Sequence, residues 1–232
     1  MNRLIAALDT DDLKVARQLI DSLAPIVRIF KVGSQLFTGW GPDVLQFIRK
    51  KGAEVFLDLK FHDIPNTVKG AVKAACRYNP LMLSVHTLGG SQMLRQAIEA
   101  RDHSGVKTKI LGVTILTSLD RGQLEEIGLS VSLNEEVLAL ARIAKRAGLD
   151  GVICSPREIG IIRQNIGQDF IVVTPGIRPS GPMNDDQRRT TRAKEAVLAG
   201  ADYLVVGRPI LQAQDPYEVA RKIIEDIGNG YT

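Results

Sequence analysis

The chain is poor in residues that mark special environments. It has only two cysteines in 232 residues, Cys76 and Cys154, far apart and each in an apolar setting. That excludes a disulfide framework and reads as two free, buried thiols in a reducing compartment. Aromatic residues make up 5%, with a single tryptophan, Trp40, read as packing in a core or interface. No basic run is interleaved with rings, so a nucleic-acid surface rests only on the formal net charge of +4. The densest basic stretch, QRRTTRAK (187–194), would serve a phosphate as readily. No apolar run is long enough to span a membrane. The opening MNRLIAALDTDD turns acidic before a secretory signal is complete, so the expectation is a cytoplasmic protein. Also missing are a glycine-rich dinucleotide fingerprint, a linker rich in Pro, Gly or Ser, and a solenoid period. The three histidines have no partners at metal-ligand spacing.

What is present is an ordinary globular composition, 44% hydrophobic and 24% charged. Short apolar runs at 3–9, 28–33, 53–60, 81–88, 109–116, 151–155, 170–176 and 202–208 read as strands. Amphipathic stretches lie between them. The clearest helix spans 134–147, with Ser132 and Glu135 as its capping box and Gly148 as its stop. The last helix opens on Asp215 and Pro216, with Gly228 past its end. Several strands are nearly continuous apolar runs, as in a parallel sheet covered by helices on its outer face. Eight βα units in this length predict a single (β/α)8 (TIM) barrel domain over residues 1–232. A doubly wound open sheet is the alternative.

In such barrels chemistry gathers at the C-terminal ends of the strands. Asp9 ends the first run and Lys31 lies near the end of the second. The third runs into DLKFHDIPNT, placing Asp58, Lys60 and Asp63 together. Asp58 and Lys60 alternate on a strand, so both face one side while Leu59 turns away. Two carboxylates beside a lysine favour its charged form. At about 4 Å and an effective dielectric of about 20, each contact is worth roughly 4 kcal/mol before desolvation. Spacing leaves two readings open: a proton donor held charged by its neighbours, or an ion-pair network that only closes the barrel mouth. Gly207 and Arg208, in VVGRPI, fall where these barrels bind phosphate, in the loops after strands seven and eight. The stretch 176–190 reads either as a flap able to close over an anion or as a surface excursion.

DLKFHDIPNTV resembles the D-x-K-x-x-D-I-x-x-T signature of the orotidine 5′-monophosphate decarboxylase family, in its compact monofunctional bacterial form. LIAALD, FKVGSQLF, VHTLGG, VTILTS, TPGIRP with a later glutamine, and VVGRPI extend the resemblance along the whole chain. It implies cofactor-free, metal-free loss of CO2 from orotidine 5′-monophosphate to give UMP, the last step of de novo pyrimidine nucleotide synthesis. Lys60 would deliver a proton to C6. Asp58 would lie beside the substrate carboxylate and hold Lys60. Lys31 would complete the network, and Lys31 and Asp9 would contact the ribose hydroxyls. Asp63, Ile64 and Thr67 would act in the partner's site across a homodimer. Thr117 would stand next to the base, with Ser118 as the competing assignment. Arg178 and Gln187 would belong to the flap, Gln187 bridging base and phosphate, and Gly207 and Arg208 would hold the phosphate.

Related sugar-phosphate decarboxylases and hexulose-phosphate synthases share the D-x-K-x-x-D core but use magnesium, bound with the help of a glutamate near the end of the second strand. Here that stretch reads FKVGS, and its lysine would repel a divalent cation. A nucleotide-binding barrel without catalysis is the non-enzymatic alternative. Buried like charges around Lys60 would serve no purpose there. His62 reads as supporting the motif, His86 as a hydrogen-bonded structural residue and His103 as solvated.

Overall fold

The computed structural model describes residues 3–129, 132–178 and 189–228. Strand and helix alternate from Leu4–Ala7 (β1) and Leu13–Leu23 (α1) to Ile29–Gly33 (β2), which is followed by Ser34–Trp40 (α2) and Asp43–Lys50 (α3). Glu54–Phe61 (β3), Pro65–Cys76 (α4), Met82–His86 (β4), Gly90–His103 (α5) and Lys109–Val113 (β5) come next. Arg121–Glu126 (α6) and Leu133–Arg146 (α7) lead to Gly151–Ile153 (β6) and Ile159–Ile166 (α8). The chain closes with Ile171–Thr174 (β7), Ala193–Leu198 (α9), Tyr203–Val206 (β8), Arg208–Leu211 (α10) and Pro216–Gly228 (α11). The eight strands pair in sequence order into a closed barrel, β1 returning to β8 through Ile5↔Val205. Every pairing is parallel. This is the expected (β/α)8 barrel.

Strand parity divides the apolar residues into two cores. Ile5, Ala7, Ile29, Phe56, Met82, Leu111, Val113, Ile153, Val173 and Val205 form one cluster inside the barrel. The alternate residues, such as Leu4, Phe30, Val55, Leu83 and Val172, join a larger cluster with the buried stripes of the helices. A strand buried on both faces is apolar at most positions, which explains the nearly continuous runs. The helices obey local chemistry. Asp12 accepts from the N–H groups of Lys14 and Val15 to start α1, and α4 begins with Pro65 where a missing N–H costs nothing. Ser132 and Glu135 form the anticipated capping box of α7, and Gly148 stops the chain beyond it with φ of +88°. The Asp215 carboxylate accepts from the Glu218 N–H at 3.0 Å as α11 begins.

Three expectations need adjustment. Most strands are shorter than their apolar runs, because the last residues of several runs leave the ladder and turn into the loops at the barrel mouth; β3 keeps its length and is shifted by one residue, to Glu54–Phe61. Gly228 is the final residue of α11 rather than the first beyond it. Trp40 is not core: it is 45% exposed, and its indole N–H donates to the Asp11 carbonyl at 2.8 Å. Both cysteines are free and buried, as anticipated.

At Gly151 the packing of β6 on β7 leaves no room for a side chain. A Cβ there would stand 2.2 Å from the Ile171 carbonyl oxygen. Gly151→Ala is therefore expected to destabilise the barrel by at least about 2 kcal/mol. Ser132→Ala, which only removes a helix cap, is expected to cost about 1 kcal/mol. Urea denaturation of the two variants checks this; equal midpoints would show that β6 and β7 separate at little cost.

Candidate active site

The interior parity of the strands, carried one step further toward their C-terminal ends, turns from apolar to polar. Ile29 is followed by Lys31, Phe56 by Asp58, Met82 by Ser84, and Ala7 by Asp9 just beyond β1. The site is thus the uppermost layer of the barrel core, built from charged groups. Asp58 Oδ2 accepts from Lys60 Nζ at 2.7 Å and lies 3.5 Å from Lys31 Nζ. Lys31 Nζ donates to Asp9 Oδ1 at 2.8 Å. The other Asp58 oxygen, Oδ1, accepts from the Ser84 hydroxyl at 2.8 Å.

Simple alternation does not deliver Lys60 to this position. The β3–β4 register runs from Leu57↔Leu83 to Phe61↔Val85, so β3 carries surplus residues against its neighbour. Within that irregularity Lys60 adopts φ of +50°, in the left-handed region. Leu59 packs on the outer core as expected.

The electrostatics follow from burial and charge together. Burial opposes the negative charge of Asp58 most strongly. Lys31, Lys60 and the Ser84 hydroxyl together outweigh it, and the carboxyl is held below its usual range. Burial likewise opposes the charge of Lys31, yet Asp58 and Asp9 raise its pKa overall. His86 is pushed down to about 4, first by burial and then by the neighbouring His62 and Lys60, so it is neutral at neutral pH. Its ring stacks on His62 with centroids 5.3 Å apart, and its Nδ1 accepts from the Leu88 N–H at 3.4 Å.

A cavity of about 580 Å³ opens above this layer. Asp9, Lys31, Asp58 and Lys60 form part of its wall; Arg178, Gly207 and Arg208, from the loops after β7 and β8, form another part. Val113, Ile115 and Ile153 supply apolar surface. Thr117 lines the cavity, whereas Ser118 is outside its wall. Arg178 is 3% exposed, and its guanidinium donates to the Ile177 carbonyl at 2.9 Å. Gln187 lies outside the described residues, as do residues 179–188 of the expected flap as a whole.

Asp63, Ile64 and Thr67 are exposed and stand away from the cavity of their own chain. Among the described residues Lys60 is ion-paired with Asp58 and not with Asp63, so within the chain the spacing argument holds for Asp58. His103 is exposed, its Nδ1 2.7 Å from the Glu99 carbonyl.

Sequence reasoning missed Ser84, although a lone polar residue at interior parity in LMLSVH was a readable signal. It also missed the fully buried Glu158, which accepts from Arg189 at 2.7 Å and from the Ser155 N–H at 2.8 Å. Arg189 also donates to the Leu116 carbonyl at 2.8 Å and so joins the loops after β5, β6 and β7. No local pattern announces a pair 31 positions apart.

A closed parallel barrel with lysines and carboxylates at its C-terminal mouth, and arginines on the facing loops, is the architecture of a barrel enzyme with a site for a small anion. Residues 2–223 match the model of the orotidine 5′-phosphate decarboxylase / HUMPS family. The chain is 50% identical over 230 residues to orotidine 5′-phosphate decarboxylase of Syntrophotalea carbinolica, covering 97% of this chain and 94% of that one. The corresponding protein of Geotalea uraniireducens is 46% identical over 228 residues, covering 97% and 95%. The crystal structure of orotidine 5′-phosphate decarboxylase from Lactobacillus acidophilus superposes with a TM-score of 0.86 at 38% identity, covering 98% of this chain and 99% of that one. The chain belongs to the orotidine 5′-phosphate decarboxylase / HUMPS family.

The shifted groups give the site a pH dependence of stability. The pKa of Asp58 in the folded state lies below the unfolded value of about 3.9, so its contribution is present above about pH 4. It is lost as pH falls through the folded value. Lys31 behaves in the opposite sense, its contribution fading only as pH rises through its raised value. Asp58→Asn is expected to cost on the order of 3 kcal/mol at neutral pH and to flatten the loss of stability on acidification. Denaturant unfolding from neutral pH down to about pH 2 checks this; parallel curves for wild type and variant would overturn it.

Proposed function

We propose that the protein removes CO2 from orotidine 5′-monophosphate to give UMP without metal or organic cofactor, Lys60 supplying the proton. The observation that carries this reading is the Lys60 ammonium, held at 2.7 Å by buried Asp58 in the wall of a cavity that also carries Arg178, Gly207 and Arg208. In the reaction the bond between C6 and the carboxyl carbon breaks, and its electron pair stays on C6 in an in-plane orbital the ring cannot delocalise. CO2 departs, and a proton from Lys60 Nζ forms the new C6–H bond. The amine then regains its proton from solvent.

A fixed ammonium aimed at the carbon where charge develops lowers the barrier because it needs no reorganisation at that moment. Asp58 beside the departing carboxylate adds repulsion that is relieved as CO2 leaves. In this reading Lys31 and Asp9 take the ribose hydroxyls, Thr117 the base, and Gly207 and Arg208 the phosphate. Arg178 and Gln187 act from the segment after β7, Gln187 between base and phosphate. Phosphate binding far from C6 supplies energy that organises the site.

The magnesium-dependent sugar-phosphate chemistry found among D-x-K-x-x-D barrels fits less well. Lys31 stands between Asp9 and Asp58 at 2.8 and 3.5 Å, where it satisfies the acids a divalent ion would need and repels such an ion.

The reading includes a homodimer in which Asp63, Ile64 and Thr67 complete the partner's site. Its support is the exposed position of Asp63 and Ile64 on the β3–α4 connection and of Thr67 in the first turn of α4, with Ile64, a large apolar side chain, 67% exposed. Two free thiols, and the absence among the described residues of any helix able to cross a membrane, accord with a cytoplasmic biosynthetic enzyme.

The test is loss of the ultraviolet absorbance of orotidine 5′-monophosphate with purified protein. Wild-type turnover is expected to be indifferent to EDTA, and Lys60→Ala to lose at least about a hundredfold in kcat/KM. No turnover by folded wild type would sink the assignment. Undiminished turnover in Lys60→Ala would remove the proton donor and leave the reaction.

A further inference from the structure

A lysine in the left-handed region is held there against a steric penalty, since its Cβ crowds the backbone. Lys60, with φ of +50°, is one of two non-glycine residues in that region among those described. Something must hold it. Between Leu57↔Leu83 and Phe61↔Val85 the strand ladder is interrupted, and there the N–H of Lys60 donates to the Ser84 side chain, Oγ lying 2.8 Å away. The same oxygen donates its own hydrogen to Asp58 Oδ1 at 2.8 Å, while Asp58 Oδ2 takes Lys60 Nζ at 2.7 Å.

These three bonds close a ring: Ser84 to the backbone of Lys60, along that side chain to its ammonium, to Asp58, and back to Ser84. A hydroxyl has one donor and two acceptor sites, so both roles are compatible in one side chain. Ser84 is 0% exposed and lies outside the cavity wall, so it touches the reacting pair from behind.

We propose that Ser84 is a positioning residue for proton delivery: its hydroxyl fixes both the strained backbone of Lys60 and the carboxylate that holds the Lys60 ammonium. The inference rests on Lys60 acting as the proton donor. Without the hydroxyl, the Lys60 N–H loses its partner and its backbone is free to relax toward the extended region. Asp58 loses the bond that fixes its plane, and the ammonium leaves its line of approach to the reacting carbon. Misplacement by about an ångström is enough to lower a rate up to about a hundredfold.

Ser84→Ala is expected to lower kcat between about 10- and 100-fold while KM changes less than about threefold, because substrate contacts remain. Hydrogen exchange of the Lys60 amide, read by NMR, is expected to speed up at least about tenfold. Ser84→Cys fills the same space with a weak donor and acceptor, and carries the same test if Ser84→Ala does not fold. A kcat equal to wild type overturns the proposal. A raised KM at unchanged kcat also overturns it, because Ser84 would then serve binding and not proton delivery. Unchanged exchange at Lys60 shows that the hydroxyl does not hold that backbone and overturns it as well. A wild type that leaves orotidine 5′-monophosphate untouched overturns the decarboxylase reading and this role together. An active wild type with an equally active variant overturns the role alone.

Discussion

Asp58 is shared by two lysines and a serine, and the rest of the site is arranged around that one carboxylate. A lone carboxylate at this depth would protonate rather than pay the cost of losing water. Its charge survives because Lys31, Lys60 and Ser84 all bind it, and in return it keeps two cations at the barrel mouth. Burying such a cluster contributes little to stability compared with apolar packing of similar volume. What it provides is a fixed local field, in a cavity floored by Phe56, Val113, Ile153 and Val205 where water screens it poorly.

The barrel makes this arrangement economical. Closing eight parallel strands forces alternate residues inward at every level, and the lower levels are filled by aliphatic side chains and Phe56. The top level needs nothing more than a change of residue type at the same parity: Lys31 above Ile29, Asp58 above Phe56, Ser84 above Met82. The departure from regularity falls at Lys60, where β3 carries surplus residues. The strained backbone falls at that same point, where the Lys60 side chain is aimed by its backbone rather than by strand geometry.

Much of this was legible in the order of the residues. Eight apolar runs, their spacing, the caps of α7 and α11 and the polar strand ends are local patterns, and local patterns survive in a one-dimensional reading. The extents of the strands were not, because a ladder ends where its neighbour ends, which depends on pairing. The site was legible as a set of residues but not as a geometry. DLKFHD suggested two carboxylates flanking one lysine, yet the turn after Phe61 leaves Asp63 exposed and outside the cavity wall. Ser84 stayed hidden because its partner Asp58 lies 26 positions away, and Glu158 and Arg189 because they lie 31 positions from each other. For Trp40 the core reading does not hold: the side chain is 45% exposed, with its indole N–H on the Asp11 carbonyl.

The barrel is sealed by the pairing of its first strand with its last, Leu4↔Leu204 through Ala6↔Val206. Asp9 lies just past one edge of that seam and Gly207 just past the other, so close that a Cβ on Gly207 would come within 3.2 Å of the Asp9 carboxylate. The cavity therefore straddles the contact of greatest sequence separation in the sheet, the kind that forms late because loop closure must precede it. A chain emerging during synthesis can bring Lys31, Asp58, Lys60 and Ser84 together from three adjacent strands well before β8 exists. It cannot join them to Gly207 and Arg208 until the ring closes. Part of the cavity wall thus assembles with the first strands, and the complete wall is a property of the finished circle.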